Sequence, residues 1–304
     1  HSIAYSLLRS WDTQIVLKPI GELKILLKSI YERRKFHYVS ELKPFMPNYL
    51  YDIYSLFQNV SGGDFEAYFC AKHPEQAVYA EIYADILREY EEEKRRFGYV
   101  DFNDLLLRLK AELAGRSVEF DEILVDEYQD TNALQGSLIE AFKSKSLFCV
   151  GDYDQSIYAF NGADISIIGS FGTRFANAQI YTLGKNYRSS RSILALANKV
   201  IENNQRLYPK ELIVTRTGEF AQPQLLTFNE SFEQYAHIAK FIVTSGVSAE
   251  NIAVIFRNNS SADGIELALR EQGIPSVRKE SVSFFDSLEV RAFCAMMALI
   301  INPK

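Results

Sequence analysis

An apolar run that ends in two acids, within FDEILVDEYQDTN, constrains the fold of this chain more than any other feature. Ile123, Leu124 and Val125 are branched apolar residues, and Asp126 and Glu127 follow them directly. Such a run is typical of a strand buried in a parallel sheet. In open α/β sheets, ligands bind at the carboxyl ends of the strands, where these acids lie. Acids in this position hold Mg²⁺ and activate water in nucleotide hydrolases.

The usual partner of such acids is a phosphate loop with the pattern G-x-x-x-x-G-K-[ST], and no window of the 304 residues matches it. The only Gly-Lys pair is Gly184-Lys185, which has no glycine at the required spacing upstream. The acids alone therefore leave two interpretations open. One is a nucleotide site, and the other is an acidic strand end at which Asp130 or Thr131 caps the next helix.

Composition favours an ordinary globular protein of about two domains. The chain is 47% hydrophobic and 24% charged, and its net charge of −6 does not indicate a globally basic nucleic-acid binder. A local basic groove remains compatible with that charge. The three cysteines, Cys70, Cys149 and Cys294, show no metal-binding spacing and predict a reducing, cytoplasmic location. The longest apolar run, residues 292–301, is too short to span a bilayer, so we expect no membrane partner.

Short apolar runs alternate with helical segments after Gly98. The predicted strands are 123–125, 147–150, 179–183, 224–228 and 252–256. This alternation is typical of βαβ units in a parallel sheet. Before Gly98 the pattern is mostly helical, with a long helix predicted from Pro74 to about Phe97. The sequence therefore predicts an α/β fold in which a helical insert precedes two α/β units, with a junction between residues 177 and 186.

Polar side chains with suitable chemistry follow two more of the predicted strands. Gln155 lies just past strand 147–150, where its amide can bond a phosphate oxygen and a water. After strand 179–183, the Tyr187 ring can stack on a purine, and the Arg188 fork suits a phosphate. Taken alone, Arg188 fits a surface arginine at a helix start better than a phosphate contact.

Two aromatic residues with polar neighbours, Tyr158 and Phe160, follow the same strand as Gln155. Exposed rings at this spacing can stack on unpaired bases. The alternative is that both rings belong to the hydrophobic core.

Three long motifs in the expected order resemble motifs II, III and IV of superfamily 1A DNA helicases, the UvrD/Rep/PcrA family: VDEYQDTNALQ, VGDYDQSIYAFNGAD and NYRSS. The resemblance covers nearly the whole chain. HSIAYSLLRS is similar to the end of the family's T-F-H-S motif, and DFNDLL to its D-F-D-D-L segment. IAVIFRNNSSADGIELALREQGIP resembles the segment before the 2B insertion, and FFDSLEVRAFCAMMALIINP resembles the first helix of that insertion.

The resemblance implies an α/β architecture of two RecA-like parallel-sheet units. Residues 1–11 and 97–180 would form an incomplete domain 1A, and 12–96 its helical 1B insertion. Residues 181–282 would form the first part of domain 2A, and 283–304 the start of the 2B insertion. In the family, the phosphate loop precedes T-F-H-S, and motifs V and VI follow the 2B insertion. We therefore expect an internal fragment that does not hydrolyse ATP by itself.

The resemblance also implies roles for the matched residues, with ATP and Mg²⁺ as cofactors. Asp126 would hold Mg²⁺ through water, and Glu127 would orient and deprotonate the attacking water. Gln155 would sense the γ-phosphate and pass its state to the DNA-facing aromatics. Tyr187 would stack on adenine, and Arg188 would act as an arginine finger.

Contacts to DNA are implied for residues near the start of the chain, in motif III and before a later helix, namely His1, Ser2, Tyr158, Phe160, Arg257 and Asn259. Family members often carry basic residues around the motif III aromatic, as in R-W-R-G-A. This chain has Ala159 and Asn161 at those places. The missing charges predict weaker, less salt-dependent binding of the DNA backbone by this loop.

The implied function of the parent protein is ATP-driven 3′-to-5′ translocation on single-stranded DNA with separation of duplex DNA, in repair or recombination. Repair or nuclease proteins are the expected partner proteins. Two alternatives stay open: the helicase portion of a helicase–nuclease, and a non-catalytic DNA- or protein-binding scaffold. The intact Asp126, Glu127, Gln155 and Arg188 favour an enzyme over a scaffold.

Overall fold

The computed structural model describes residues 1–11, 14–34, 42–60, 63–204, 210–218, 222–279 and 287–301. The chain forms two compact units, His1–Glu219 and Phe220–Lys304. The domain boundaries predicted at residues 12 and 283 lie outside the described residues. None of the described helices is long and apolar enough to cross a membrane.

The first half of the first unit is mostly helical. Its elements are α1 (Ser2–Ser10), β1 (Val16–Leu17), α2 (Ile20–Glu32), α3 (Pro47–Val60), α4 (Phe65–Lys72), a 3-10 helix (Pro74–Tyr79), α5 (Ala80–Phe97), β2 (Tyr99–Val100) and α6 (Phe102–Leu113). The helix predicted from Pro74 is therefore split, because its first six residues form the tighter 3-10 helix. It ends as expected at Gly98, which adopts a left-handed φ of 66° that terminates helices at low cost.

An aromatic-rich core holds the helices α2 to α5 together. Its fully buried members include Leu27 of α2, Leu50 of α3, Phe69 of α4 and Tyr83 of α5. Burying large apolar side chains of this kind is the dominant favourable term in folding. This helical part of the chain therefore has a core of its own.

A buried charge network joins α5 to the DFNDLL segment at the start of α6. The ammonium of Lys94 lies 2.9 Å from both carboxylate oxygens of Asp104 and 2.7 Å from Glu91. Asp101 and Asp104 form a reciprocal capping box, and the Tyr51 hydroxyl of α3 donates to Asp101 at 3.2 Å. Because each charge has partners, the burial of Lys94 is compensated. The network fixes α3, α5 and α6 relative to one another.

The second half of the first unit contains the strands that carry the motifs. Its elements are β3 (Glu119–Val125), α7 (Ala133–Ala141), β4 (Lys143–Cys149), α8 (Ile165–Gly169), α9 (Phe171–Arg174), β5 (Lys185–Asn186), α10 (Arg191–Ile201) and β6 (Ile213–Val214). Strand β3 pairs in parallel with β4, with Val125 opposite Cys149, and β5 pairs in parallel with β6. The strands predicted at 123–125 and 147–150 are thus confirmed, except that β4 ends one residue early. Their carboxyl ends lie at one sheet edge.

The strands predicted at 179–183, 224–228 and 252–256 are wrong, because those residues carry no strand pairing in the structure. Leu183, Leu225 and Ile255 are largely exposed. An apolar run becomes a strand only when a neighbouring backbone accepts its hydrogen bonds. In the described part of the chain, none of the three runs has such a neighbour.

The second unit is helical in its described part. Helix α11 (Ser231–Thr244) packs on α12 (Asn259–Glu271) through an apolar cluster that includes Ala239 and Leu269. Helix α13 (Leu288–Ile301) follows, with nearly all of its side chains exposed. Helices combined with small parallel sheets are compatible with the predicted α/β class. The RecA-like arrangement of that class stays a prediction.

Candidate active site

The two acids of the opening motif stand at the carboxyl end of β3. Both Asp126 and Glu127 are exposed, and one Asp126 oxygen accepts the Glu127 backbone N–H at 2.9 Å. Glu127 has φ 49° and ψ 44°, a left-handed conformation that a non-glycine residue rarely adopts. Backbone strain of this kind concentrates at functional sites. The conformation turns the chain out of β3 and leaves the Glu127 carboxylate at the sheet edge.

The prediction that Asp130 or Thr131 caps the helix after β3 is wrong. Asn132 is the N-cap of α7, and it forms a reciprocal capping box with Gln135. Neither Asp130 nor Thr131 is therefore needed for that helix. Burial, followed by the nearby Glu127 charge, raises the pKa of Asp130 above its ordinary value. The acids at the end of β3 are thus available for another role.

Gln129 is a site residue to which the sequence assigned no role. Its side chain is almost completely buried, with the residue 1% exposed. Its amide donates to Glu127 Oε2 at 2.8 Å, and its carbonyl accepts the Asp152 backbone N–H at 2.9 Å. A Cβ on the neighbouring Gly151 would lie only 2.8 Å from that carbonyl oxygen, so a larger residue at this position would displace the Gln129 side chain. Gln129 therefore connects the Glu127 carboxylate to the backbone just after β4. The sequence feature that could have indicated this role is the position of Gln129 two residues after Glu127.

The donor set fits magnesium bound together with a nucleotide. Within the described residues, no group of three or more His, Cys, Asp and Glu side chains is arranged to hold a metal ion. Magnesium usually keeps several waters and takes one or two protein carboxylates together with substrate phosphates. The exposed carboxylate of Asp126 at the strand end suits that mode of binding.

Gln155 lies at the same sheet edge, in a 3-10 turn (Tyr153–Gln155) that follows β4. Its amide donates to Asp152 Oδ2 at 2.8 Å, and Lys210 forms an ion pair with the same carboxylate. Burial alone would raise the pKa of Asp152, but the hydrogen bonds from Lys210 and Gln155 outweigh burial and lower it. Hydrogen bonds thus connect Glu127, Gln129, Asp152 and Gln155 in one continuous series.

The motif III aromatics are on the surface, so the core alternative is wrong. Tyr158 is 44% exposed and Phe160 is 61% exposed, with ring centroids 5.8 Å apart. Gly162, at the base of this loop, has φ 89° and is buried against α3, where a Cβ would lie 3.2 Å from Asn59 and Val60. Helix α3 therefore packs against the base of the loop, and both rings are exposed.

Tyr187 and Arg188 are exposed in a turn that Asn186 builds. The Asn186 side-chain oxygen accepts the backbone N–H of Arg188 at 3.0 Å and that of Ser189 at 2.8 Å. Arg216 donates to the Arg188 carbonyl at 2.8 Å. Arg188 therefore precedes α10 in a braced turn and does not belong to the helix start.

The remaining predicted DNA contacts lie on separate elements. His1 is the N-cap of α1, its ring lies 5.0 Å from that of Phe102, and Ser2 begins the helix. Arg257 and Asn259 are exposed in the second compact unit, where Asn259 begins α12. Their contacts with DNA stay predictions.

Comparison with known protein families identifies the family of this chain. The sequence model of the UvrD/REP helicase N-terminal domain matches residues 5–176, and that of the UvrD-like helicase C-terminal domain matches residues 181–304. The chain belongs to the UvrD/Rep helicase family.

Its relatives in this family include several proteins described as ATP-dependent DNA helicase PcrA. The Bacillus subtilis protein is 32% identical over 238 residues, which cover 74% of this chain and 32% of the relative. The Staphylococcus epidermidis protein is 31% identical over 253 residues, which cover 77% of this chain and 34% of the relative. The chain spans about a third of the length of these curated relatives.

Proposed function

We propose that the protein containing this chain is an ATP-dependent DNA helicase that moves 3′-to-5′ on single-stranded DNA and separates duplex DNA, in repair or recombination. The observation that carries the proposal is the hydrogen-bonded series from Glu127 to Gln155, with the exposed Tyr158 and Phe160 directly after it. It links a candidate hydrolytic carboxylate to a candidate base-stacking loop through a few fixed contacts. The relatives described as DNA helicases support the same activity.

Each residue of the site has a defined task in this proposal. Asp126 would hold Mg²⁺ through water, and the bound ion would supply positive charge beside the phosphates of ATP. Glu127 accepts the proton of the attacking water. The hydrogen bond that Gln129 donates helps to orient the Glu127 carboxylate for this step. Gln155 bonds a γ-phosphate oxygen, and Arg188 donates its fork to the transferring phosphoryl group. Tyr187 stacks on adenine.

Motion of the motif III loop would connect hydrolysis to movement on DNA. Gln155 and Phe160 lie on one short stretch between β4 and α8. A change at Gln155 on nucleotide binding or release would therefore shift the rings of Tyr158 and Phe160 against the bases. Such gating by short loops is common among enzymes that close on their substrates.

The 304-residue chain alone is expected not to hydrolyse ATP, whereas the full-length gene product should do so with stimulation by single-stranded DNA. The chain contains no match to the glycine-rich loop and lysine that hold the phosphates in the family. The measurement is steady-state phosphate release from both proteins, with and without oligo-dT. Duplexes with a 3′ or a 5′ single-stranded tail test the direction of movement.

The same phosphate-release assay distinguishes an ATP-hydrolysing helicase from a non-catalytic scaffold. That second function is favoured by one observation, the absence of a phosphate-loop match in these 304 residues. A full-length protein that binds DNA without hydrolysing ATP would support the scaffold. Turnover by the 304-residue chain at an ordinary enzyme rate would contradict our account of the site.

Phe160→Ala in the 304-residue chain is expected to weaken binding of labelled oligo-dT about 5- to 150-fold, which corresponds to loss of one stacked base. The effect should not depend on sequence, because every base offers a flat face. Fluorescence anisotropy measures the affinity, and thermal unfolding of the same samples measures stability. The melting temperature should stay close to that of the parent chain, since the ring is exposed.

Tyr181→Ala is the matched control for this experiment, because it removes another exposed ring outside the motif III loop. It should leave DNA affinity unchanged. Equal affinity in the Phe160→Ala variant and the parent chain would show that no base stacks on Phe160.

A further inference from the structure

The segment Lys210–Arg216 contacts the turn that presents Arg188. Strand β6 within it pairs with β5, directly before that turn. The Thr215 hydroxyl donates to the Asn186 carbonyl at 2.7 Å, and Arg216 donates to the Arg188 carbonyl at 2.8 Å. The position of the Arg188 turn therefore depends on this segment.

The other end of the same segment contacts the loop that carries Gln155. Lys210 forms ion pairs with Asp152 and, at 3.6 Å, with Asp154. All three side chains are mostly shielded from water, with exposures of 16% for Lys210, 24% for Asp152 and 10% for Asp154. Limited exposure reduces screening by water and salt, so the attraction between these charges is screened less than in an ordinary surface ion pair.

The Asp152 carboxylate is shared between Lys210 and Gln155. One oxygen pairs with the lysine, and the other accepts the Gln155 amide at 2.8 Å. Without the lysine, the neighbouring carboxylates of Asp152 and Asp154 would repel each other. The carboxylate that holds the Gln155 amide would then lose its only charged partner among these contacts and keep, on the oxygen that faced the lysine, the Asp154 backbone N–H at 3.0 Å.

We propose that Lys210 is a positioning residue, which holds the Gln155 loop and the Arg188 turn in one arrangement through the segment Lys210–Arg216. The nucleotide contacts of Gln155 and Arg188 are part of the proposed function. The effect of Lys210 on catalysis therefore rests on the proposed function. The positional consequence is independent of any nucleotide. Lys210 itself acts through these two residues and does not touch the phosphate.

Amide hydrogen exchange on the 304-residue chain tests the positional consequence. Lys210→Ala should raise exchange in peptides covering 151–157 and 184–190 by roughly fivefold, the factor that corresponds to losing about 1 kcal/mol. Lys210→Arg keeps the charge and should stay near the parent chain in both peptides. Lys199→Ala, which removes an exposed lysine on α10, is the control and should change neither peptide.

Two exchange results would overturn the proposal. One is unchanged exchange in both peptides of the Lys210→Ala variant. The other is a uniform rise that includes β3 and α5, since that pattern indicates general destabilisation and not loss of a local contact.

Kinetics of the full-length protein test the catalytic consequence. Lys210→Ala should lower the kcat of DNA-stimulated ATP hydrolysis roughly 10- to 100-fold, as expected when catalytic groups are slightly misplaced. Lys210→Arg should recover most of that loss, and DNA affinity without nucleotide should not change. A Lys210→Ala kcat equal to that of the unsubstituted protein would overturn the positioning role. If the unsubstituted protein hydrolyses no ATP, the proposed function fails, while the exchange experiment still decides the positional role of Lys210.

Discussion

Arg188→Ala and Arg188→Lys in the full-length protein are expected to lose about 10³- to 10⁵-fold in the kcat of DNA-stimulated ATP hydrolysis, the range typical of arginine fingers. In the proposed mechanism, the guanidinium would meet negative charge that develops on the transferring phosphoryl group. Lysine is a poor substitute because it lacks the planar fork that bonds two oxygens at once. Steady-state phosphate release with saturating oligo-dT measures the effect.

DNA affinity without nucleotide should survive both Arg188 substitutions, because the proposed contact of Arg188 is the phosphate and not the DNA. Arg191→Ala is the matched control, since Arg191 is exposed three residues further on, at the start of α10. Its kcat should remain within a few-fold of the unsubstituted protein. If the Arg188 variants keep their kcat, or lose DNA affinity while hydrolysis persists, Arg188 is a surface or DNA-contact residue.

Glu127→Gln is expected to lower kcat by about 10²- to 10⁴-fold, the usual loss when a general base is removed. Glutamine keeps the size of the side chain, and its oxygen can still accept the hydrogen bond that Gln129 donates at 2.8 Å. It cannot take a proton from the attacking water. Nucleotide binding should therefore remain nearly intact, as measured by titration with a fluorescent ATP analogue.

Glu122→Gln provides the control for charge, because Glu122 is exposed on the same strand, away from its carboxyl end. This variant should hydrolyse ATP at the unsubstituted rate. A Glu127→Gln variant with an unchanged kcat would mean that Glu127 is only an acid at a strand end. Its left-handed backbone would then need another explanation.

Local pattern predicted the elements whose partners lie close in the chain. Strands β3 and β4 are separated by a 3-10 turn and one α-helix, and each joins an apolar run to a turn. The runs at 179–183 and 224–228 have the same texture but no strand pairing in the structure. Apolar composition indicates a tendency to be buried, whereas a strand also requires a second backbone at hydrogen-bonding distance. Periodicity carries no information about that second backbone.

The sequence by itself determined the family, the order of its motifs and the residues proposed for catalysis, because these depend on residue types at fixed spacing. Only the tertiary structure decided which of those residues are held together. The contact of Lys210 with Asp152 joins residues 58 positions apart, and Gly162 packs on α3 beside Asn59. Contacts of this kind arise when separate elements fold against one another, and no local pattern of residue types specifies them. The exposure of Phe160 follows from the same packing, since α3 supports the base of the loop and leaves the ring in water.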